Sequence, residues 1–600
     1  MFKWSARFIK KLVRAASRQK ENGESEHLDK ELVNRLTKRR IPSVQQIFKV
    51  RALLSQVEKR AITAAVIIIL GMGAWLGYTF YKNNVVNLPD YGGVLTEALI
   101  GQPKFINPIL AQTNDTDLDI VRLTYSGLMK YDANLMLTTD LAESYTVDAE
   151  EKVFTFRLKE NLFWEDGTPL NADDVIFTMQ AIQDVDWQSP LLVSFKGISI
   201  DKIDERTVAF TLPKPFAPFL TLLTTGLIPK HIWEDIPPQS ARLAEFNIKP
   251  IGNGPWKFSE LTKDKAGNIH SYTLVANERY HEKRPYLEKM ILKFFPDFTS
   301  GIEALNENQV MSLSFLPNDL ARDLLKGERM SYHELELPQY TALFMNQKKN
   351  AFLKDKKIRQ ALAYSIDKQR LIDTALMGRG LTINSPILPS QIGFRDDLSE
   401  YKYDIGKARA LLEEAGWQRN EAGIYAKDGA ELAISLTTVE HSENRIVAEE
   451  LEKLWRDAGF AVKLEIVSAS EIQGNIIRQR NYDILLYGEI VGADPDPFPF
   501  WHSTQVEHPG LNLSQFKNNE SDALLESARF TSDKKTREEK YKEFQKILNE
   551  ELPAIFLYAP MYTYVQDKRI KNFGVSGLIV PADRFNNVTE WYLKTKKSIR

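Results

Sequence analysis

A chain of 600 residues is too long for one hydrophobic core, because cores stop growing at about 250–300 residues, so two or more lobes are expected. The composition, 43% apolar, 26% charged and 10% aromatic, excludes a collagen, a disordered chain or a polytopic membrane protein. The absence of cysteine excludes disulfide scaffolds, zinc–thiolate and iron–sulfur centres, thiol catalysis and anchoring through a lipidated cysteine. The net charge of −2 hides a division: residues 1–60 carry about +10 and the rest about −12. A basic arm on an acidic body points to an anionic surface at one end only.

Residues 2–16 place Phe2, Ile9, Leu12, Val13 and Ala16 along one helical face, with Lys3, Arg7, Lys10, Lys11 and Arg14 mostly around the rest. That pattern predicts a basic amphipathic helix on an anionic leaflet. Residues 20–30 read as a linker, and Pro42 interrupts a second helical pattern. Residues 61–81 follow, 21 residues without a charge, bounded by Lys59-Arg60 and Lys82. At 1.5 Å per residue such a run covers roughly 30 Å, the thickness of a bilayer core. The excess of Lys and Arg before it predicts a cytoplasmic N-terminus and an outer location for everything after about residue 82.

The outer part mixes strand and helix signals without a repeat. Residues 153–158 alternate as a half-buried strand. Residues 161–170 turn through Asp166-Gly167 and Pro169. Asn171 then caps a helix that carries Asp173 and Asp174 in its first turn. Asp404 caps another, which Gly416 closes. Strands at 431–439 and 460–467 flank a helix at 443–457. The alternation predicts an α/β protein. No nucleophile elbow, zinc-protease helix or phosphate-binding glycine loop occurs, and the eight histidines are scattered. These absences favour a binding protein over an enzyme, and no metal, cofactor or nucleic-acid site is expected.

Residues 123–177 contain Gly127-Leu128, Tyr131-Asp132, Leu141-Ala142-Glu143-Ser144, Phe156-Arg157-Leu158, Trp164-Glu165-Asp166-Gly167-Thr168-Pro169 and Asp173-Asp174-Val175. Asn107-Pro108, GNGPWKF at 252–258, DKKIRQALAYSID at 355–367 and YDILLYGEIVGADPDP at 482–497 hold the same order. Over residues 92–592 this resembles the extracellular solute-binding proteins of ABC importers, family 5, of the oligopeptide- and dipeptide-binding type. The WEDGTP block is read as a turn and a helix cap, so it identifies the family without holding the ligand.

The resemblance implies a two-lobe, periplasmic-binding-protein-like clamp with an extra domain. The expected order is a basic cytoplasmic arm (1–60), a transmembrane helix (61–81) and a linker (82–90). Lobe I follows at 91–128, 249–341 and 559–597, with the extra domain at 129–248 and lobe II at 342–558. It also implies short peptides as ligands, ABC permease subunits as partners and a monomeric state. The matching ligand segments are 113–117, with Thr113, Asn114, Asp115 and Thr116, and 489–494, with Glu489, Ile490 and Val491. Asp494 or Asp496 would face the peptide ammonium. Relatives that carry nickel complexes, haem or oligosaccharides keep other solutes open, and the anchor leaves a repurposed surface sensor or scaffold open.

Overall fold

The structure, a computed structural model, describes residues 54–324 and 329–599. The basic helix, the linker at 20–30 and most of the cytoplasmic arm lie outside the described residues. By compactness the chain divides into two units, Met1–Leu88 with Lys597–Arg600, and Pro89–Lys596.

The first unit contains one long helix, α1 (Gln56–Asn84). Ser55 caps it: its hydroxyl accepts the Glu58 N–H, and the Glu58 carboxylate accepts the Ser55 N–H at 2.8 Å. This reciprocal pair satisfies two donors that the first turn leaves without partners. None of its residues is buried, and it is long and apolar enough to cross a membrane.

The second unit is mixed α/β. The elements that matter below are, in chain order, β1 (Val94–Ile100), α2 (Asp115–Thr124), β2 (Val153–Leu158), α3 (Ala172–Gln183), β3 (Trp256–Lys263), β4 (Ile269–Ala276), β5 (Lys289–Phe295), β6 (Ser312–Leu313), β7 (Met330–Glu336), β8 (Gln339–Met345), α4 (Ile405–Glu414), β9 (Ala433–Val439), α5 (Ser442–Ala458), β10 (Ala461–Val467), β11 (Ile484–Ile490), α6 (Asn519–Arg529), α7 (Lys534–Glu551) and β12 (Ala554–Asp567). The predicted caps form: Asn171 opens α3 in a capping box with Asp174, and Asp404 opens α4. The strand read at 153–158 is β2, whose Phe154, Phe156 and Leu158 are buried on one face.

One continuous path of strands, β10-β9-β11-β8-β12-β6-β1-β5-β4-β3, runs through the unit. Its two ends are tied by β12. Residues 554–558 of this strand pair with β8, and residues 561–567 pair with β7. Pro560, which has no N–H to donate, lies between the two pairings. The second connection is Leu337-Pro338, between β7 and β8. The chain thus passes between the two halves of the sheet at 337–338 and at 559–560.

Hydrophobic clusters follow this division. Leu343, Ile358, Leu451, Trp455 and Leu557 belong to the core beside β8–β11, and Tyr340, Leu485, Trp501 and Phe556 to its other face. Leu95, Trp256, Tyr272, Leu292, Tyr564 and Trp591 pack around β1, β4 and β5. A third core gathers Phe156, Trp164, Val175, Phe210 and Trp233 under a four-stranded antiparallel sheet that includes β2.

Two of the recognised motifs meet where this third core joins the β1–β5 half. The Glu165 N–H donates to the Gly252 carbonyl at 2.9 Å, and the Gly252 N–H returns to the Glu165 carboxylate at 3.0 Å. A Cβ on Gly252 would stand 2.0 Å from the Thr124 carbonyl oxygen at the end of α2. Only glycine fits that approach. Gly252→Ala should therefore destabilise the large unit by about 1–3 kcal/mol through forced backbone movement. Urea denaturation checks this, with Gly474→Ala as the control, since nothing lies within 4 Å of a Cβ there.

Candidate binding cleft

Between the two halves of the sheet lie two cavities of about 360 Å³ each. They share Leu337, Pro560 and Met561, residues of the two crossings. The first takes Asp115, Thr116, Asp119, Phe298 and Phe315 from the β1 half, and His441, Glu443 and Ile490 from the β11 half. The second is lined by Gly492 and Ala493, by residues 388–391 and by loops at 134–136 and 576–579. Neither wall includes a lysine or an arginine.

The 113–117 segment begins α2. Asn114 is its cap, accepting the Thr116 N–H at 3.1 Å and donating to the Gln102 carbonyl at 2.9 Å. The Thr116 hydroxyl donates to the Ile100 carbonyl at 3.1 Å, while Asp117 accepts the Lys104 and Phe105 amides at 2.7 and 2.9 Å. Thr113 closes a short 3-10 turn and is exposed. Asp115 differs from its neighbours. It faces the cavity, and its carboxylate makes no hydrogen bond or ion pair among the described residues. Burial raises its pKa, and the charge of Arg584 opposes the shift.

Arg584 lies behind it, with 0% of its surface exposed. Its guanidinium donates to Asp119 at 2.6 and 2.7 Å and to Glu97 at 2.8 and 3.0 Å. Burial pushes the Asp119 carboxyl up to about 6, with Arg584 holding it down and Glu97 and Asp115 adding to the rise.

The 489–494 segment ends β11. The Tyr340 hydroxyl donates to Oε2 of the buried Glu489, whose Oε1 has no partner. Ile490 is 59% exposed and forms cavity wall. Val491 is buried, and its N–H donates to the Pro338 carbonyl at 2.8 Å. Gly492 and Ala493 reach the second cavity. Asp494 is held by Arg537 of α7 at 2.6 Å and by the Asp496 N–H at 3.1 Å, both on Oδ1. Asp494 also lies near the opposite half, since burial and the charges of Asp583 and Asp494 raise the Tyr131 phenol. Asp496 faces Arg529 at 3.4 Å, and burial pushes its carboxyl up to about 6 against that cation.

The sequence profile of the bacterial extracellular solute-binding proteins, family 5, matches residues 137–508. This chain belongs to that family. Membership places the large unit outside the cytoplasmic membrane, extracellular or periplasmic. The oligopeptide-binding protein AppA of Bacillus subtilis (strain 168) is 30% identical over 525 residues, which cover 84% of this chain and 92% of that protein. A solved structure of AppA from Bacillus subtilis in complex with a nonapeptide aligns with a TM-score of 0.67 at 28% identity, over 84% of this chain and 100% of that one. NikZ from Campylobacter jejuni in complex with Ni(L-His) aligns with a TM-score of 0.69 at 28% identity, over 83% of this chain and 99% of that one.

In this family member the structure adds wall residues that sequence reasoning did not single out: Phe298, Phe315, His441 and Glu443. His441 and Glu443 flank the start of α5, and the Glu443 carboxylate accepts the Tyr558 hydroxyl at 2.9 Å. A His-x-Glu pair directly after a strand was the available signal. Arg537 and Arg529 carried none, because they lie on helices with ordinary charge patterns.

Burial pushes Glu489 up to about 8, with the Tyr340 bond opposing, so the native carboxyl keeps its proton at neutral pH. Its native pKa stands above the unfolded value of about 4.5, so the native state binds the extra proton between those pH values. Wild-type stability relative to Glu489→Gln should fall by about 1.4 kcal/mol per pH unit from 4.5 to 8, and level off above 8. Urea midpoints of both proteins at pH 5, 7 and 9 check the slope.

Proposed function

We propose that this protein captures short peptides in the cleft between its two halves and delivers them to the permease of an ABC importer. The observation that carries the reading is the open edge of β11. One side of this strand pairs with β8 along its length, from Gln339↔Ile490 to Met345↔Ile484. The other side pairs with β9 only at Leu436↔Ile484 and Thr437↔Leu485. Residues 487–490 therefore present a backbone edge without a strand partner among the described residues, and Ile490 carries it into the cavity wall. An extended peptide adds to such an edge as one more strand. Main-chain bonds then supply affinity, and water around the side chains permits varied sequences.

The ligand residues in this reading are Thr113, Asn114, Asp115 and Thr116 on one side. Glu489, Ile490, Val491, Asp494 and Asp496 are those on the other. The peptide ammonium goes to the remaining oxygen of Asp494, since Arg537 and the Asp496 amide occupy only Oδ1. Asp115 is the competing acid, because it lines the first cavity and its carboxylate has no partner among the described residues. The role is binding rather than catalysis. The relative AppA, an oligopeptide-binding protein solved with a nonapeptide, supports the ligand class. A nickel complex is the second reading, favoured by His441 beside Glu443 in the cavity and by NikZ, solved with Ni(L-His). Native mass spectrometry of the purified protein separates them: a spread of peptide masses supports the first, and one discrete metal-complex mass the second.

N-acetylation of a bound peptide should weaken binding by about tenfold or more, because the free oxygen of Asp494 then loses its charge-assisted hydrogen bond to the ammonium. Asp494→Asn should erase that discrimination and Asp115→Asn should leave it intact; titration calorimetry with free and acetylated peptides checks both. The reverse outcome moves the ammonium to Asp115.

In the same reading α1 anchors a monomer in the cell membrane, with the N-terminus cytoplasmic and the basic arm on the inner leaflet. Protease added to intact cells, after removal of any wall or outer membrane, should digest the large unit and spare an N-terminal tag. Loss of the tag with survival of the large unit would reverse the orientation.

A further inference from the structure

Away from the crossing strands, the hydrogen bonds that span the cleft among the described residues lie at one rim. The Ala217 N–H donates to the Arg529 carbonyl at 3.1 Å, and the Ser532 N–H donates to the Glu151 carboxylate at 2.9 Å. Lys214 stands over the Phe530 ring, 5.5 Å from its centroid. Residues 151 and 214–217 belong to the body with the antiparallel sheet, while Arg529 ends α6 and residues 530–532 follow it in the other half. The Arg529 guanidinium joins the two. Its central carbon lies 5.2 Å from the centre of the Phe216 ring and 4.5 Å from that of Phe498, and its Nε faces the Asp496 carboxylate at 3.4 Å. Asp496 and Phe498 are part of the 494–499 loop, whose first residue is the acid assigned above to the peptide.

We propose that Arg529 is the latch of the clamp: it couples the ligand-contacting 494–499 loop to Phe216 and Ala217 on the opposite half, so that order in the loop is converted into closure. The link to ligand rests on the peptide reading; the latch itself does not. The physical argument is planarity. A guanidinium can stack on two rings and still meet a carboxylate in its plane, which an ammonium cannot do. Asp496 lies 3.4 Å from Nε of Arg529, so its charge holds the guanidinium beside the loop while that cation packs over Phe216. The contacts with Phe216, Ala217 and Phe498 exist together only when the halves meet. Their loss should therefore lower the closed population without unfolding either half.

The chain has no cysteine, so a single pair can be introduced cleanly. Lys214→Cys and Phe530→Cys in the full-length protein in detergent, treated with a short bis-maleimide, report how often the rim closes. Arg529→Ala should slow cross-linking about fivefold or more at an unchanged melting temperature. Arg529→Lys should recover little of the rate, because it restores charge without planarity. Phe216→Leu, on the opposite half, should slow it as well and keeps the test alive if Arg529→Ala does not fold. Unchanged rates in both Arg529→Ala and Phe216→Leu would overturn the latch. Trialanine should speed cross-linking in the parent pair and not in Arg529→Ala. If trialanine leaves the parent rate unchanged while Arg529→Ala still slows it, the latch stands and the peptide reading is what fails.

Discussion

A guanidinium with none of its surface in water, facing two carboxylates, holds together segments that are far apart in the chain. Arg584 comes from the short helical turn Pro581–Phe585, Glu97 from β1 and Asp119 from α2. Each is separated from Arg584 by more than 460 residues. The second oxygen of Glu97 accepts from Ser312 at 3.0 Å and from Tyr564 at 3.1 Å, so β6 and β12 join the same centre. Burying these charges is costly. Replacing the whole group by apolar residues is often neutral, whereas removing one member leaves an uncompensated charge and costs about 3–5 kcal/mol. The value of the group lies in specification: a half assembled from discontinuous pieces can satisfy Arg584 in one arrangement only. It also leaves the wall of the cleft electronegative, because two acids share one cation and Asp115 stands in front of them.

From this centre the fold leads directly to the cleft. β12 leaves the Arg584 half at residue 561 and enters the other half at residue 558, so both halves are anchored on one strand. Near Pro560 that strand changes partners, pairing with residues 380–382 between its runs beside β8 and β7, and Leu337-Pro338 makes the neighbouring connection. Each crossing contains a proline, which has no N–H to donate to a ladder there. The cavities share the residues of these crossings, so any rotation there changes both volumes at once. What the ligand meets is a pair of cavities whose walls hold acids but no lysine or arginine, and an open strand edge. That combination suits an extended chain with a cationic group better than an anionic or purely apolar solute.

Local features were legible in the sequence, and remote partnerships were not. The Asn171 and Asp404 caps, β2, the strands β9 and β10 and the helix α5 between them follow from short-range rules: a capping side chain, a period of two or a period of 3.6. The apolar run at 61–81 lies inside α1. Family motifs carried the fold class, because the WEDGTP turn and the GNGPW glycines meet in a contact that fixes backbone positions. The site is harder to read. Asp494 looks like an acid waiting for a ligand, yet Arg537 stands 43 residues further on and takes one of its oxygens. Asn114 and Thr116 carry polar groups that suit a ligand, and the backbone around them uses those groups first. Nothing in their immediate sequence distinguishes them from Asp115, which remains without a partner. That difference is decided by what packs against α2 from elsewhere.

A clamp that must release its cargo cannot be closed too firmly. Moving such a system from one part closed in a hundred to ninety-nine requires about 5.5 kcal/mol of differential binding, and whatever the rim supplies in the absence of ligand is subtracted from that discrimination. The rim is built accordingly. Its bonds are two backbone amides, a half-exposed arginine on two rings and a lysine over a phenylalanine. Each such contact is worth little at an exposed site. The strong, fully buried groups are kept inside the halves, where they do not change on opening. Asp496 lies between the two regimes. It is buried enough that its charge needs Arg529, and Arg529 is exposed enough to leave it. An acid whose pKa has been pushed up to about 6 loses its hold on that arginine as the pH falls, so this rim contact weakens in acid, and Asp119 of the Arg584 centre, also pushed up to about 6, is protonated over the same range.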